Sequence, residues 1–290
     1  MTQRRPSGKP RRRGTARRLA VSAALALTLA SVAEAAPEAV TFPGDGVTVS
    51  AVLYRPAGPG PFPAVVALHG CGGLNDPGGS LNARHADWGE RLAAQGFVVL
   101  LPDSFGSRGL GPQCRVTERT VRPGIHRVQD ALASKAYLQT RPDVKPDAVS
   151  LMGWSHGGGS VLFTVQPRNR GDVARPDFAR AVAFYPGCHQ LAESGHWRTR
   201  VPLLLLMGDA DDWTPPEPCR ALVDAAKARG EPVESVFYPG AVHGFDHPSQ
   251  PPRTRRGLAY TADGSGTARV GTDPAARADV LDRVPRFLVR

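Results

Sequence analysis

The stretch AVSLMGWSHGGGS (residues 148–160) joins an apolar run to a glycine-rich turn, and it decides how we interpret the fold. Residues 148–154 are typical of a buried strand, and residues 156–166 favour a helix that stops at Pro167. Ser155 stands at the junction, between Gly153 and Gly157. A sharp turn from strand to helix exposes a serine oxygen, and it leaves no room for side chains at the two glycines. We therefore predict that Ser155 is a nucleophile.

Strand and helix patterns alternate along the rest of the chain. Continuous apolar runs predict buried strands at 63–70, 97–103, 179–186, 201–208 and 233–240, whereas residues 47–54 alternate like a half-exposed strand. Helices are predicted at 81–92, 125–136, 218–229 and 275–288. Strands that are apolar on both faces call for a parallel α/β sheet covered by helices on both sides, with an antiparallel or mixed edge at the leading strands.

Charge and hydropathy set the first residues apart from the rest. Residues 1–35 hold eight of the 36 basic residues and one of the 26 acidic residues, so the remainder is nearly balanced and carries no basic stripe for a nucleic acid. A basic stretch, the apolar run 19–33 and the small-x-small pattern Ala33-Glu34-Ala35 predict a cleaved signal peptide. We expect export to the periplasm or medium, through the general or the twin-arginine route, with a retained anchor as the alternative.

Residues 36–290 then form a single predicted catalytic domain, because no stretch resembles a domain linker. Within it, residues 247–272 are a polar excursion rich in proline and glycine, and a loop of that length is either functional or mobile. We expect no membrane span after cleavage of the signal, and nothing in the sequence indicates the oligomeric state. Four cysteines, Cys71, Cys114, Cys188 and Cys219, can form disulfides in an oxidising compartment, and spacing leaves all three pairings open.

A serine nucleophile needs a base, and the base needs an acid that orients it. In this type of fold the expected chain order is serine, acid, histidine. Asp209, Asp211 and Asp212 follow the strand at 201–208, and His243 follows the strand at 233–240. We predict Asp211 and His243 as the partners of Ser155, with Asp209 too close to the strand and Asp212 pointing away or capping the next helix.

The oxyanion needs two backbone donors, and we assign them to Cys71, after the strand at 63–70, and His156. Cys71 as the nucleophile is the weaker alternative, because it follows the wrong strand.

The sequence signals for a nucleotide or metal site are weaker still. Residues 156–160 lack the lysine of a phosphate loop, and His243, Asp246 and His247 lack the spacing of a zinc site. We predict no metal and no cofactor.

At these residues the chain resembles the dienelactone hydrolase family of the α/β-hydrolase superfamily, from about residue 43 to residue 288. The blocks that carry the resemblance, in order, are HGCGG, LLPDSFGSRG, GWSHGG, FYPGC, GDADDWTPPEPC and HGFD. The resemblance implies an eight-stranded, mostly parallel sheet, and a triad of Ser155, Asp211 and His243. The enzymes that gave the family its name use a cysteine nucleophile, so Ser155 favours a broader hydrolase of small carboxylic esters or lactones.

The same resemblance bears on the cysteines and on the substrate pocket. Its topology implies the disulfides Cys71–Cys114 and Cys188–Cys219. Candidate pocket residues are Trp154 and Trp213, which flank the catalytic candidates and have core packing as the alternative, Arg108, which has a structural role as the alternative, and Phe245. Pocket shape is expected to depend on the irregular segments 104–124, 187–200 and 247–272. The alternatives are a peptidase or acyltransferase using the same triad, and a non-catalytic binding protein on a hydrolase scaffold.

Overall fold

In the computed structural model, which describes residues 1–3, 8 and 36–290, the apolar runs form one large sheet. Its strands are β1 (Glu38–Pro43), β2 (Thr48–Tyr54), β3 (Phe62–Leu68), β4 (Val98–Pro102), β5 (Val144–Trp154), β6 (Ala181–Phe184), β7 (Leu203–Gly208) and β8 (Val233–Tyr238). The predicted leader, residues 1–35, falls almost wholly outside the described residues, and residues 36–290 lie in one compact unit.

The strand order across the sheet is β1-β2-β4-β3-β5-β6-β7-β8. Strands β1 and β2 are antiparallel to each other, and β2 is antiparallel to β4, whereas β4 and all later neighbours pair in parallel. All residues of β4, β6 and β7 are buried, because both faces of the sheet are covered. The predicted eight-stranded, mostly parallel α/β sheet is therefore confirmed. Of the two leading strands predicted at its antiparallel edge, 47–54 lies there as β2, whereas 63–70, as β3, pairs in parallel inside the sheet.

The helices are α1 (Ala83–Ala94), α2 (His126–Gln139), α3 (His156–Thr164), α4 (His189–Glu193), α5 (Pro216–Ala228) and α6 (Pro274–Leu288). Local chemistry explains several of their ends. The Asn82 side chain accepts the Arg84 N–H at the start of α1, and Gly96, with φ 90°, follows its end. Asp273 caps α6 through the Ala276 N–H, and Pro274 occupies the first helical position, where no backbone donor is needed.

A small second sheet lies in the segment that the sequence marks as a polar excursion. Strands β9 (Arg253–Arg256) and β10 (Thr267–Val270) pair antiparallel and form a hairpin. Leu258, Ala268 and Val270 of this hairpin form a buried cluster with Trp213 and the Cys71–Cys114 disulfide. The excursion is thus an ordered structure that covers one side of the loops where the candidate site residues lie.

No helix among the described residues is long and apolar enough to cross a membrane.

Candidate active site

Ser155 occupies a strained turn between the last residue of β5 and the first residue of α3. Its backbone angles are φ 53° and ψ −112°, a combination that a residue with a side chain adopts at a cost of about 1–3 kcal/mol. The Ser155 N–H donates to the Phe184 carbonyl at 2.9 Å, which ties the turn to the neighbouring strand β6. Strain of this kind is retained where the surrounding structure fixes it, and here it holds the serine at the end of the sheet.

Close packing explains the glycines around Ser155. A Cβ on Gly153 would lie 2.6 Å from the Gly157 carbonyl oxygen, and one on Gly157 would lie 2.1 Å from the Leu68 carbonyl oxygen. A Cβ on Gly158 would lie 2.6 Å from the Phe184 carbonyl oxygen. Gly159 differs, because its nearest contact would be an ordinary 3.9 Å to the Gly187 oxygen. Three glycines are therefore required by the turn, and the fourth leaves open space.

Asp211 and His243 meet beside this turn, although 32 residues separate them in the chain. The His243 Nδ1 lies 2.7 Å from Oδ2 of Asp211. The other carboxylate oxygen, Oδ1, accepts the backbone N–H groups of Trp213 and Thr214 at 3.0 and 2.9 Å. Asp211 is held in this way and accepts a hydrogen bond from the Nδ1–H group of His243. The other ring nitrogen, Nε2, is therefore left as the basic nitrogen.

The two neighbouring aspartates have other partners on the surface. Asp209 pairs with Arg220, and Asp212 pairs with Arg269 of β10. Of the three candidates, Asp211 alone contacts a histidine within the described residues. Thr214 adds to the pair, since its hydroxyl lies 3.1 Å from Nδ1 of His243 and 3.0 Å from Oδ2 of Asp211.

The loop that carries Cys71 lies against the serine turn. A Cβ on Gly70 would be 3.7 Å from the Ser155 Cβ, so the next residue, Cys71, begins beside the nucleophile. The disulfide Cys71–Cys114 and the bond from the Gln113 N–H to the Cys71 carbonyl, at 2.7 Å, fix this loop. The second predicted donor, the His156 N–H, belongs to the first turn of α3, where backbone donors have no partner within the helix.

A buried arginine supports both donor segments from behind. Arg127 Nη1 donates to the His69 carbonyl at 2.7 Å and lies 3.1 Å from Nδ1 of His156. Burial lowers the pKa of His156 well below its usual value, and the Arg127 charge lowers it further, so the imidazole is neutral and accepts this bond. Burial also lowers the pKa of Arg127 to about 10. Arg127 thus connects the Cys71 loop to the start of α3.

Ser155 lines two cavities, which we call the large cavity and the small cavity. The large cavity has a volume of about 500 Å³, and the small cavity about 110 Å³. His156 lines the large cavity, whereas His243 and Gly244 line the small cavity. Residues from the irregular segments 104–124, 187–200 and 247–272 line the large cavity: Arg119, Pro123, Cys188, His189, Gln190, Ala259, Tyr260, Thr261 and Ala262 among them.

Of the four candidate pocket residues, Trp213 lines both cavities and the other three line neither. Arg108 forms a two-pronged ion pair with the buried Asp130, at 3.0 and 2.8 Å, which makes it a structural residue. Trp154 is fully buried and donates its indole N–H to Asp246 in the core, and Phe245 is buried among aromatic rings. For Trp154 and Arg108 the structure agrees with the alternative roles, core packing and a structural ion pair, and Phe245 lies in the core rather than at either cavity.

The sequence reasoning also missed Asp246, which is wholly buried three residues after His243. Its carboxylate accepts the indole N–H groups of Trp88 and Trp154 at 2.9 and 2.8 Å and the Tyr185 hydroxyl at 2.6 Å. Arg84 Nε lies 3.3 Å away. Asp246 and these partners anchor the loop that carries His243 to the core. The motif HGFD contained the signal, since an aspartate in an apolar block needs buried partners.

Both disulfides implied by the family resemblance are present, Cys71–Cys114 and Cys188–Cys219, with Cα atoms 4.8 and 5.1 Å apart. Cys71 and Cys188 line the large cavity on different segments. Among the described residues, no group of three or more histidine, cysteine or acidic side chains has the arrangement of a metal site.

A family model described as the dienelactone hydrolase family matches residues 49–290. The chain belongs to the dienelactone hydrolase family. It is a hydrolase of that family and has an α/β fold with an eight-stranded, mostly parallel sheet.

Individual relatives of this dienelactone hydrolase family member are distant. A putative carboxymethylenebutenolidase of Synechocystis sp. is 24% identical over 224 residues, which span 71% of this chain and 85% of that protein. The uncharacterized peptidase YuxL of Bacillus subtilis is 25% identical over 248 residues, but the match covers 74% of this chain and 36% of that protein. Thermogutta terrifontis esterase 2, phosphorylated by paraoxon, has the same fold, with a TM-score of 0.63 at 23% identity over 87% of this chain and 93% of that chain.

Proposed function

We propose that the protein is an exported serine hydrolase that cleaves a carboxylic ester or lactone through an acyl-enzyme on Ser155. The observation that carries the proposal is the 2.7 Å contact between His243 and Asp211, on loops that share the small cavity with the strained Ser155. A nucleophile held in strain beside an oriented histidine is the arrangement that activates a hydroxyl. The mostly apolar large cavity, of about 500 Å³, suits a small-molecule ester.

The reaction follows from the roles of these atoms. The Ser155 Oγ attacks the carbonyl carbon while Nε2 of His243 takes the hydroxyl proton, and Asp211 stabilises the imidazolium that forms. The backbone N–H groups of Cys71 and His156 bind the oxyanion. Collapse of the intermediate breaks the ester bond, and His243 gives its proton to the leaving alcohol. Water, activated by His243, then releases the acid and restores Ser155.

The test is hydrolysis of p-nitrophenyl acetate by the oxidised protein and its Ser155→Ala variant. We expect kcat to fall by about 10⁴-fold or more in the variant, as for removal of a triad nucleophile. Ser265→Ala, at an exposed position on the hairpin tip, is the matched control and should keep full activity. An unchanged rate in Ser155→Ala would refute the serine mechanism.

A fluorophosphonate probe separates an enzyme from a binding protein on the same scaffold, because only an activated serine reacts with it. We expect labelling of the wild type at Ser155 and none of Ser155→Ala. The similarity to the peptidase YuxL raises amide cleavage as the second candidate. Comparing p-nitrophenyl acetate with p-nitroacetanilide, which differ in the ester or amide linkage, decides between them: we expect turnover of the ester and little of the anilide.

Export is supported by the two disulfides, which persist in oxidising compartments. The predicted signal peptide, residues 1–35, falls almost wholly outside the described residues. Expression of the full chain in a bacterial host, followed by N-terminal sequencing of the exported protein, tests the proposal. We expect the mature chain to begin at Ala36, and an intact N-terminus on a cytoplasmic protein would contradict it.

A further inference from the structure

The two cavities at Ser155 differ in the catalytic group that each contains. The large cavity holds Ser155 and His156, and the small cavity holds Ser155 and His243. Cys71 contributes to both, as expected for a residue beside the carbonyl oxygen. The two cavities therefore meet at the nucleophile and differ in volume, and His243 lines the small one.

The chemistry of ester cleavage assigns a direction to these spaces. The tetrahedral carbon carries the serine oxygen, the oxyanion, the acyl chain and the oxygen of the leaving alcohol. His243 must protonate that last oxygen when the bond to carbon breaks, so the alcohol has to lie on the side of His243. We propose, resting on the function proposed above, that the alcohol of the substrate occupies the small cavity and its acyl chain the large cavity.

The walls of the two cavities fit this assignment. Apolar and aromatic side chains that line the large cavity alone, Phe163, Pro218 and Tyr260, suit a long hydrocarbon or aromatic acyl chain. The small cavity has a larger polar share in its wall, where Asn82, Arg84, Gln250 and Arg255 lie beside Trp213 and Val270. The substrate class is therefore an ester that joins a long apolar acid to a short alcohol.

Methyl octanoate and heptyl acetate test this directly, because they are isomers that place the long chain on opposite sides of the same ester group. Release of acid at constant pH gives kcat/KM for both. We expect methyl octanoate to be preferred by about tenfold or more, since even one methylene group changes specificity by about 10–200-fold in a fitted apolar pocket. Equal rates, or preference for heptyl acetate, would overturn the assignment while leaving the serine mechanism intact. Failure to hydrolyse either ester or to react with the fluorophosphonate would refute both proposals.

Gly159 offers a way to fill the large cavity. It lines that cavity on α3, and a Cβ there would have only the ordinary 3.9 Å contact, so Gly159→Leu adds bulk without a backbone clash. We expect the kcat/KM ratio of methyl octanoate to methyl acetate to fall by about tenfold. Ala225→Leu, at an exposed position of α5, is the control with a similar gain in volume and should leave the ratio unchanged.

A second variant keeps the test decisive if Gly159→Leu does not fold. Ala262 lies on an exposed loop and lines the large cavity. Ala262→Phe therefore narrows the cavity from a loop, whereas Gly159→Leu narrows it from a helix. Circular dichroism establishes that each variant is folded. A folded variant that retains the wild-type ratio of methyl octanoate to methyl acetate would show that the acyl chain lies elsewhere.

Discussion

Replacing Asp246 by asparagine changes a buried acceptor into a group of nearly the same shape that is half donor. The carboxylate accepts from Trp88 and Trp154 on one oxygen and from Tyr185 on the other, and Arg84 lies beside it. If the amide nitrogen replaces Oδ2, it faces two indole donors. If the amide turns over, the Tyr185 hydroxyl loses its acceptor. In either orientation Arg84 loses its counter-charge, because asparagine is neutral.

Both orientations destabilise the folded protein, and the two estimates of the free-energy cost are of similar size. Two buried donors without an acceptor cost about 1–3 kcal/mol each, and removal of one partner of a buried ion pair costs about 3–5 kcal/mol. We therefore expect Asp246→Asn to lower the free energy of unfolding by about 2–6 kcal/mol. This is a large share of the stability of a typical domain, about 5–15 kcal/mol.

The assay is equilibrium unfolding in urea with the disulfides intact, followed by both circular dichroism and tryptophan fluorescence. Asp212→Asn is the matched control, because Asp212 and Arg269 form an exposed pair whose loss should cost about 1 kcal/mol or less. A change in Asp246→Asn below about 1 kcal/mol, with the same urea dependence as the wild type, would refute the account of the network.

Three further perturbations have defined outcomes in the same unfolding assay. Gly157→Ala places a Cβ 2.1 Å from the Leu68 oxygen and should lower the free energy of unfolding by about 2 kcal/mol or more. Burial lowers the pKa of His85 from 6.5 to about 3, so as the pH falls below 6.5 the unfolded chain gains a proton that the folded protein does not, and stability decreases. Between pH 7 and pH 5 this accounts for about 2 kcal/mol, which His85→Gln should remove. Joint replacement of Cys188 and Cys219 by serine opens a loop of 31 residues and should cost about 3–4 kcal/mol.

Each of these three predictions has its own control or refuting outcome. Gly159→Ala meets no close atom and should keep or raise stability, by up to about 1 kcal/mol, so equal behaviour of the two glycine variants would contradict the packing argument. His196→Gln, at an exposed histidine, should leave the pH dependence as it is. If the cysteine double variant is as stable as the oxidised wild type, the unfolded chain is already constrained without that disulfide, which would contradict the predicted loss.

Continuous apolar runs made the buried strands predictable. Strands β3 to β8 follow such runs. Each candidate triad residue lies in the loop or turn after the carboxyl end of a strand, so their convergence follows from the parallel topology. Strand β1 was not predicted because it is an edge strand in which Phe42 alone is fully buried. Its residues carry no pattern that distinguishes them from a loop.

The hairpin β9–β10 shows a different limit. Its strands read RTRR and TARV, with no apolar periodicity, and its order depends on long-range contacts such as that of Val270 with His243.

The direction of individual side chains was also not predictable from the sequence. Trp154 adjoins Ser155 in sequence but binds Asp246 in the core, and Arg108 pairs with Asp130 from a distant helix. Neither partner can be identified from local sequence.

The Cys71–Cys114 bond has a practical consequence for how the protein is produced. Made in a reducing cytosol, the chain would carry a free thiol on the residue assigned to the oxyanion, and the hairpin would lose the disulfide on which its apolar residues rest. We expect such material to purify as a folded sheet with a low fraction of active sites. Titration of active sites before and after oxidative refolding should therefore be the first quality measure of any preparation, ahead of specific activity.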